Sequence, residues 1–299
     1  MRIELHPDGP EFSAVSLGFW RLKMWEKSTD ELIEYIEQCI ELGVTTFDHS
    51  DIYGDYDNQE IFGKVLKKRP DLRDKIELVS KCGIALVSEN RPEHYVQHYN
   101  TTAEHIRSSV ENSLKKLNTD VLNLLLIHRP DPLMNATEMA DVFMELYEEG
   151  KILHVGVSNF TPDQFELFQS KLTLPLVTNQ VECSILHLTR IYDGTFDQAQ
   201  RLNSSPMVYS PVAGGRLFKG DDEQATRVLN LCKELAKKYD VTADHVALAW
   251  LLKLPSRPLP VIGTGKIKRV AHAVDAVSLD LERQDWFRLL ETSQGHPVP

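Results

Sequence analysis

Four side chains of the types used in general acid–base chemistry stand near the ends of short apolar segments in the first half of the chain. They are Asp48, Tyr53, Lys81 and His128. A carboxylate, a phenol, an ammonium group and an imidazole that met in one pocket could hold, donate and relay a proton. Taken singly, each has an ordinary structural explanation, such as a helix cap or a core histidine. Whether these four residues form one site therefore depends on the secondary-structure elements that position them.

Short apolar runs, separated mostly by amphipathic helical patterns, recur along the chain. They cover residues 14–17, 44–47, 76–80, 121–127, 152–157, 176–181, 207–209 and 259–262. About eight strands that alternate with helices predict an α/β fold, a (β/α)8 TIM barrel formed by residues 1–299 as one domain. A doubly wound sheet is the competing architecture. Reactive groups in such barrels sit at the carboxyl ends of strands, roughly 5 Å apart, so Asp48, Lys81 and His128 could share a pocket with Tyr53.

The pattern departs from simple alternation at both ends and in one long loop. Residues 3–5 and 11–13 predict an N-terminal hairpin that could close the bottom of the barrel. Residues 84–101 form a long connection, of a length that is often functional. Two helical patterns, 222–239 and 242–254, precede the last strand, and further helices follow it.

Local signals predict where several helices begin. Ser28 and Glu31 form a capping-box pattern before an apolar helical face, and Thr101 begins a second copy of that pattern. Thr161 stands directly before Pro162, which predicts an N-cap followed by proline at the first helical position.

Composition and charge exclude several classes of protein. With 33 Lys and Arg against 44 Asp and Glu, the formal charge of the 299-residue chain is −11, so a nucleic-acid partner is not expected. The start of the chain lacks the apolar core of a signal peptide, and no apolar run is long enough to span a bilayer. The 4 cysteines lie far apart and indicate free thiols in a reducing compartment. A cytoplasmic protein that is a monomer or a weak oligomer is expected.

Motifs that would indicate other chemistry are missing from the sequence. No predicted strand is followed by GxGxxG, which argues against a Rossmann dinucleotide site, and there is no Walker-type phosphate loop. Phe160 replaces the last glycine of a nucleophile-elbow pattern at residues 156–160. His94 and His98 have a spacing that suits a metal on a helix, but with 11 histidines in the chain such a pair arises easily by chance. No metal is therefore expected.

The motifs FDHSDIYG, VSKCG, LLIHRPD, HVGVSNF, TNQVE and VYSP occur in this order. Through them the chain resembles the aldo-keto reductases, and the segments LGFWRLKMW and VIGTGKIKRV look most like a bacterial subgroup of oxidoreductases in that family. The resemblance extends from about Gly18 to the last helices. It implies an enzyme that uses NADPH to reduce the carbonyl group of a small-molecule aldehyde or ketone to an alcohol.

The resemblance implies that Asp48, Tyr53, Lys81 and His128 form a catalytic tetrad. A nicotinamide would deliver hydride to the carbonyl carbon, and Tyr53 would give a proton to the oxygen. A free phenol has a pKa of about 10, and a cationic Lys81 nearby should lower that pKa. Asp48 would hold Lys81 as its ion-pair partner. His128 would hydrogen-bond the carbonyl oxygen and orient it.

The resemblance also implies where the nicotinamide binds. Ser158, Asn159 and Gln180 match the family positions that hydrogen-bond the nicotinamide carboxamide. Tyr209 matches the aromatic residue that stacks on the nicotinamide ring, although a core aromatic residue would fit this position as well.

Loop residues complete the expected cofactor and substrate sites. By the resemblance, Ser210 begins the stretch beneath the pyrophosphate, and Trp20 and Arg21 border the same site. Arg216 is expected to reach the phosphates. Trp20 and Trp25, with the long loop, are candidates to line the substrate pocket, and they suggest apolar or aromatic aldehydes and ketones.

The segment GTGKIKR is a basic island in an acidic chain. Thr264, Lys266 and Arg269 lie where a strand gives way to a helix, so backbone amides and the helix dipole add to their attraction for an anion. In the family this segment binds the adenosine 2′-phosphate, which implies NADPH rather than NADH. Gly263 stands where many relatives carry a lysine, so selectivity for the phosphate would rest on Lys266 and Arg269.

Two other functions fit parts of the sequence. Some members of the family keep the barrel and the dinucleotide but serve as regulatory channel partners, and the complete tetrad counts against that role here. A barrel hydrolase that used Asp48 and Asp51 would leave the GTGKIKR, SNF and NQ motifs unexplained.

Overall fold

An antiparallel hairpin opens the chain. The structure, a computed structural model, describes residues 1–220 and 222–299, and in it β1, Arg2–Glu4, pairs with β2, Glu11–Ser13. The predicted hairpin is confirmed, with its first strand beginning one residue early. Leu5, just after β1, is fully buried among side chains from the first halves of several barrel strands. The hairpin therefore closes the end of the barrel opposite the carboxyl ends of its strands.

The other strands form a closed barrel and one small hairpin. In chain order they are β3 Ser16–Gly18, β4 Thr46–Asp48, β5 Glu77–Cys82, β6 Ile84–Ala85, β7 His98–Tyr99, β8 Leu124–Ile127, β9 Val155–Ser158, β10 Leu176–Glu182, β11 Met207–Tyr209 and β12 Leu259–Ile262. All except β6 and β7 are parallel and close in the order β3-β4-β5-β8-β9-β10-β11-β12, with β12 paired to β3. The predicted (β/α)8 TIM barrel is confirmed, and the doubly wound sheet is wrong.

Alternate residues of a barrel strand face the interior and the surrounding helices. In β8, Leu124 and Leu126 belong to the interior cluster that the N-terminal hairpin closes. Leu125 and Ile127 belong instead to the cluster between the strands and the helices. Because both faces of the strand are covered, every position is apolar, and the strand reads as a continuous run.

Helices surround the barrel. Within the described residues they are α1 Thr29–Glu41, α2 Asn58–Lys68, α3 Ala103–Leu117, α4 Ala136–Glu148, α5 Pro162–Gln169, α6 Thr189–Tyr192, α7 Thr195–Arg201, α8 Arg216–Lys219, α9 Glu223–Lys238, α10 Ala243–Leu252, α11 Ile267–Ala276 and α12 Arg283–Gln294. Short 3-10 helices cover Leu22–Trp25, Pro70–Lys75 and Ala213–Gly215. None of the helices in this part of the chain combines the length and the apolar character needed to cross a membrane.

The predicted helix starts are confirmed before α1 and α5 and wrong before α3. Ser28 forms both bonds of its capping box, and Thr161 caps α5 ahead of a proline in the first helical position. The N-cap of α3 is Thr102 rather than Thr101. The hydroxyl of Thr101 donates instead to the carboxylate of Asp131 at 3.0 Å, which removes it from the helix start.

The two helices that the sequence predicts before the last strand are α9 and α10, which follow the short α8, and α11 and α12 come after that strand. Of these, α10 is buried along nearly its whole length. Trp250 of α10 stacks on Trp286 of α12 with ring centroids 5.2 Å apart. Each indole N–H donates to the backbone oxygen of the other tryptophan, at 3.2 and 2.8 Å. These reciprocal bonds hold the C-terminal helix against the body of the barrel.

Gly63 marks a close approach of α2 to α3. A Cβ at this position would lie 1.9 Å from the carbonyl oxygen of Lys116. Alanine normally stabilises a helix interior by about 1 kcal/mol relative to glycine, but here the two helices would have to separate. We expect Gly63→Ala to lower the free energy of unfolding in urea by about 1–3 kcal/mol. Lys64→Ala, on the exposed face of α2, should change it by less than about 0.5 kcal/mol. Unchanged or raised stability of Gly63→Ala would contradict this packing.

Candidate active site

A buried ion pair between Lys81 and Asp48 forms the centre of the site. The two residues lie on neighbouring strands, β5 and β4, at the carboxyl end of the barrel. The Lys81 ammonium is 2.7 Å from each carboxylate oxygen of Asp48 and donates to the backbone oxygen of His49 at 2.9 Å. The two side chains are 0% and 3% exposed. Burial lowers the pKa of Lys81, but the charge of Asp48 and the contact with Tyr53 outweigh it, so the net shift is upward and the ammonium stays charged.

The hydroxyl of Tyr53 completes the group around Lys81. Its oxygen lies 3.1 Å from Lys81 Nζ. Burial raises the pKa of Tyr53 above its ordinary value, and the positive charge of Lys81 offsets only part of that rise. Lys81 lowers the pKa of Tyr53 as expected, but burial outweighs this effect and the net shift is upward. The phenol keeps its proton throughout the neutral range.

His128 follows β8 and faces the Tyr53 ring edge-on, with centroids 5.8 Å apart. Burial, with the nearby charges of Lys81 and Arg129, lowers the pKa of His128 well below its ordinary value. Its imidazole is therefore neutral near pH 7 and has one N–H donor. All four predicted tetrad residues thus meet at the carboxyl end of the barrel.

Ser50 and Asp51 extend this cluster behind His128. Ser50 Oγ lies 3.1 Å from His128 Nδ1 and 3.1 Å from a carboxylate oxygen of Asp51. Burial raises the pKa of Asp51 to about 7, although hydrogen bonds from Ser50 and Ser109 lower it. The sequence gives Ser50 no role, because a loop serine carries no signal until its neighbours are known. Its hydroxyl bridges the imidazole and the carboxylate, and it helps to orient the imidazole ring.

The turn after Tyr53 has an uncommon backbone. Gly54, Asp55 and Tyr56 have positive φ angles of 62°, 61° and 70°. The left-handed region is unfavourable for residues with a side chain, so outside contacts must hold this turn. The Tyr56 hydroxyl accepts a hydrogen bond from the Leu86 N–H at 2.8 Å. Since Leu86 belongs to the long loop after β5, that loop helps to fix the turn that carries Tyr53.

The polar residues assigned to the nicotinamide form a connected network beside the tetrad. Ser158 Oγ donates to the backbone oxygen of Gln180 at 2.8 Å, and Asn159 Nδ2 donates to Ser158 Oγ at 2.8 Å. The Tyr209 hydroxyl donates to Asn159 Oδ1 at 2.9 Å. The side chain of Gln180 also donates to Asp48 Oδ1 at 2.9 Å. This contact, which the sequence does not predict, joins the network to the tetrad.

Arg129 is a charged group of this site that the sequence analysis misses. Its guanidinium lies 3.4 Å from the Tyr209 hydroxyl, and its charge contributes to the low pKa of His128. Its place directly after His128 is the signal that could have found it. Ser210, which follows Tyr209, has a φ angle of 52°, and backbone strain of this kind clusters at functional sites.

The loop after β3 carries Trp20 and Arg21, and their predicted place at the border of the cofactor site stays a prediction. Trp20 is 62% exposed, and the Arg21 guanidinium lies 5.3 Å from the centre of the Trp20 ring. Arg21 also donates to the backbone oxygen of Gly214 at 3.0 Å, which ties this loop to the segment after β11. Arg216 instead forms an ion pair with Asp222 at 3.1 Å. The structure thus gives Arg216 a partner within the chain, and its predicted contact with phosphates stays a prediction.

The segment between β12 and α11 presents the predicted basic residues. Thr264 Oγ1 accepts a hydrogen bond from the Lys266 N–H at 3.2 Å, and the Tyr35 hydroxyl donates to the Thr264 carbonyl. Lys266 is the N-cap of α11, and Arg269 lies in its first turn. Gly263, Lys266 and Arg269 are all exposed.

Trp25 lies beneath this segment. A Cβ on Gly265 would be 2.8 Å from the indole, so the loop passes over the ring only because glycine stands there. The indole also packs against Phe19 and Tyr35, each with centroids 5.6 Å away. These contacts make Trp25 a support for the basic segment, and its place in the substrate pocket stays a prediction.

Two alternative sites lose support. Lys81 donates to both oxygens of Asp48, and Gln180 donates to one of them, so this carboxylate is not free to act as the nucleophile or base of a hydrolase. Within the long connection 84–101, His98 lies on the short strand β7 and His94 lies outside any strand, so neither histidine is on a helix. Their Nδ1 atoms lie within hydrogen-bond distance of backbone oxygens, so the helical metal pair considered from the sequence is not formed.

Comparison with known protein families gives a match over most of the chain. Residues 14–293 match the aldo/keto reductase family. The chain belongs to that family. The aldo/keto reductase is 50% identical over 300 residues to oxidoreductase YdhF of Escherichia coli K12, with 100% of this chain and 99% of the relative covered. It is 42% identical over 292 residues to a 6-dehydroglucose reductase of Agrobacterium fabrum, with 97% of each covered.

Solved structures share the fold of this aldo/keto reductase. The thermostable aldo-keto reductase Tm1743, solved with the inhibitor epalrestat, superposes with a TM-score of 0.81 at 26% identity over 98% of this chain and 99% of that one. The glycerol dehydrogenase AKR11B4 from Gluconobacter oxydans, at 24% identity, gives a TM-score of 0.84 over 98% and 96% of the two chains. The family resemblance read from the sequence is confirmed. The protein is an oxidoreductase of a family that acts on small-molecule carbonyl compounds and uses nicotinamide cofactors.

The burial of the Lys81–Asp48 pair makes a prediction about stability. Lys81→Met would leave the carboxylate of Asp48 buried without a counter-charge, so we expect the free energy of unfolding to fall by about 3–5 kcal/mol. Adding Asp48→Asn should restore most of that loss, because the uncompensated charge is then gone. Lys75→Met, which removes an exposed partner of Asp71 at 3.6 Å, should have a far smaller effect. Urea denaturation measures all of these variants, and additive losses in the double variant would contradict the coupling.

Proposed function

We propose that this aldo/keto reductase is an NADPH-dependent reductase of aldehydes and ketones, with Tyr53 as the general acid. The observation that carries the proposal is the contact of one buried ammonium, Lys81 Nζ, with both the Tyr53 hydroxyl at 3.1 Å and the Asp48 carboxylate at 2.7 Å. An acid that is protonated at neutral pH stands beside a cation that can stabilise its conjugate base.

Each of the four tetrad residues has a different role in the transfer of one proton. A bound nicotinamide supplies the hydride that reduces the carbonyl carbon. Tyr53 donates its hydroxyl proton to the carbonyl oxygen, which completes the alcohol, and Lys81 stabilises the phenolate that Tyr53 becomes. Asp48 keeps Lys81 charged and in place. The neutral imidazole of His128 donates a hydrogen bond that orients the carbonyl oxygen.

The network of Ser158, Asn159, Gln180 and Tyr209 fits a nicotinamide carboxamide. It offers amide and hydroxyl groups as both donors and acceptors, beside the tetrad. The segment that follows Tyr209 fits a pyrophosphate, because Ser210 and the glycine pair at 214–215 have positive φ angles, a backbone that allows close approach to a ligand. The residues present therefore fit the dinucleotide that the family implies.

The basic segment supports NADPH in particular. Cations are unfavourable at the N-terminus of a helix, where the helix dipole is positive. Even so, Lys266 and Arg269 stand at the start of α11, and no acidic residue lies in its first turn. An anion bound there would remove the repulsion, and the 2′-phosphate distinguishes NADPH from NADH. We therefore assign Thr264, Lys266 and Arg269 to that phosphate.

The relatives suggest a substrate to try first. Two of them, 42% and 30% identical to this chain, are 6-dehydroglucose reductases. Trp20, after the first barrel strand, and Tyr95, in the long loop, also expose aromatic surface, and Tyr95 is 93% exposed. We propose an oxidised sugar such as 6-dehydroglucose as the first substrate to test, beside simple aromatic aldehydes.

A regulatory protein that only binds the dinucleotide is the alternative. It would retain NADPH tightly without turnover of any carbonyl compound. The complete tetrad favours the enzyme, because a binding protein has no use for a proton donor held against a buried cation.

The preference for NADPH depends on the exposed cations of α11. We expect tryptophan quenching to show much tighter binding of NADPH than of NADH. Arg269→Ala should weaken NADPH binding about tenfold or more and leave the Kd of NADH nearly unchanged, because only NADPH carries the 2′-phosphate. Lys233→Ala, an exposed lysine of α9, is the charge-matched control and should change neither Kd.

An unchanged ratio of the two Kd values in Arg269→Ala would contradict the assignment of the basic segment. Failure of both nucleotides to bind the wild-type protein would remove the basis of the reductase itself.

The raised pKa of Tyr53 predicts how the two reaction directions depend on pH. Reduction needs the protonated phenol, so its kcat should stay flat between about pH 6 and 9. Oxidation of the alcohol needs the phenolate, so its rate should rise through that range by up to about tenfold per pH unit. Steady-state rates in both directions, measured with matched buffers, test these slopes.

Tyr53→Phe should lower carbonyl reduction by about 10²- to 10⁴-fold while the Kd of NADPH stays within a factor of about three, because only the proton donor is lost. Tyr147→Phe, on the exposed face of α4, is the matched control and should retain full turnover. Near-normal turnover in Tyr53→Phe would exclude Tyr53 as the acid.

A further inference from the structure

A second cluster of titratable side chains lies where α10 meets α11. Asp244 and His245 stand in the first turn of α10, and His272 lies on α11. Each of the three offers an oxygen or nitrogen atom that lies within 4.8 Å of those of the other two. His272 Nδ1 is 2.8 Å from one carboxylate oxygen of Asp244, and His245 Nδ1 is 3.8 Å from the other. The two imidazole rings have centroids only 4.7 Å apart.

We propose that Asp244, His245 and His272 form a divalent-metal site, suited to Zn²⁺, that joins α10 to α11. Two imidazoles and one carboxylate are a ligand set that Zn²⁺ prefers, with water in the fourth position. In a tetrahedral site with bonds of about 2.0–2.1 Å, ligand atoms lie roughly 3.4 Å apart. The cluster is thus within about 1.5 Å of that geometry, a change that side-chain rotation can supply.

The residue before the cluster contacts all three of its side chains. Thr242 is the N-cap of α10, yet its hydroxyl forms no capping bond to the helix backbone. It lies 2.7 Å from His245 Nδ1 and 3.5 Å from His272 Nδ1, and it also contacts the carboxylate of Asp244. The hydroxyl thus lies at the point where the three side chains converge, and a bound ion would take its place.

Exposure and charge also suit an ion from solution. The side chains of Asp244, His245 and His272 are 26%, 10% and 21% exposed, so the ligands are partly buried and one side stays open to water. Asp275 stands three residues after His272 on α11 and so adds a second carboxylate on that side of the helix.

The loop pair His94 and His98 offers an internal comparison. Their rings are 5.4 Å apart and nearly perpendicular, at 84°. Among the residues that the structure describes, no acidic or cysteine side chain joins the pair as a third ligand within the same spacing. The sequence spacing thus points to one pair of histidines, whereas the fold assembles a ligand set from His245 and His272, which are far apart in sequence.

Metal titration of the tag-free, full-length protein after removal of metals tests the proposal. Calorimetry with ZnCl₂ should give one equivalent bound with a Kd in the micromolar range or below, and Co²⁺ should develop the visible bands of a tetrahedral site. We expect His272→Ala to weaken Zn²⁺ binding at least tenfold and to abolish the Co²⁺ bands. The double variant His94→Ala/His98→Ala should bind as tightly as the wild type. No cofactor or substrate is present, so the result is independent of the proposed function.

A second variant protects the test from a folding defect. Asp244→Asn keeps the shape of its side chain but removes its charge, and it should also weaken Zn²⁺ binding at least tenfold while the far-UV circular dichroism matches the wild type. Zn²⁺ should raise the Tm of the wild type and not that of either cluster variant. The absence of stoichiometric binding would overturn the proposal. So would binding that survives His272→Ala and Asp244→Asn, or that is lost in the double loop variant.

Discussion

The buried ion pair of Lys81 and Asp48 is the constraint on which the rest of the site depends. Removing two charges from water is costly, and the cost is offset only where geometry and further hydrogen bonds are nearly ideal. Here one ammonium contacts both oxygens of the carboxylate, a backbone oxygen and the hydroxyl of Tyr53. The carboxylate also accepts a hydrogen bond from Gln180, which lies on β10 at the opposite side of the barrel. Only a closed sheet brings these groups to one point.

Loops position the part of the site that does not lie on a strand. Tyr53 does not lie on a strand, and its position depends on a left-handed turn that would be unfavourable in isolation. The long loop after β5 reaches that turn through Leu86 and Tyr56. The long loop after β5 therefore also helps to fix the position of Tyr53, the proposed acid. The cost of the strained backbone is offset by contacts outside the turn.

Much of the fold and the tetrad could be predicted, because strand ends are visible in the apolar pattern. The strands at 207–209 and 259–262 match the predicted bounds. In contrast, β8 begins only at Leu124, and the Asn123 side chain before it accepts a hydrogen bond from a backbone N–H of β5. The apolar pattern of the sequence does not show which polar side chains are buried. The net rise in the pKa of Tyr53 follows from its burial, and the roles of Ser50 and Arg129 follow from contacts with His128 and Tyr209, which are distant in sequence.

The pairing of β12 with β3 has a consequence for how the chain is made. The strand at 16–18 leaves the ribosome more than 200 residues before its partner at 259–262. At roughly 5–20 residues per second, one edge of the nascent sheet stays unpaired for on the order of ten seconds or more. During that interval its free N–H and C=O groups are open to pairing with other chains. The finished barrel has no free edge, because β12 pairs with β3. Synthesis of β12 therefore ends the period in which the risk of aggregation is greatest.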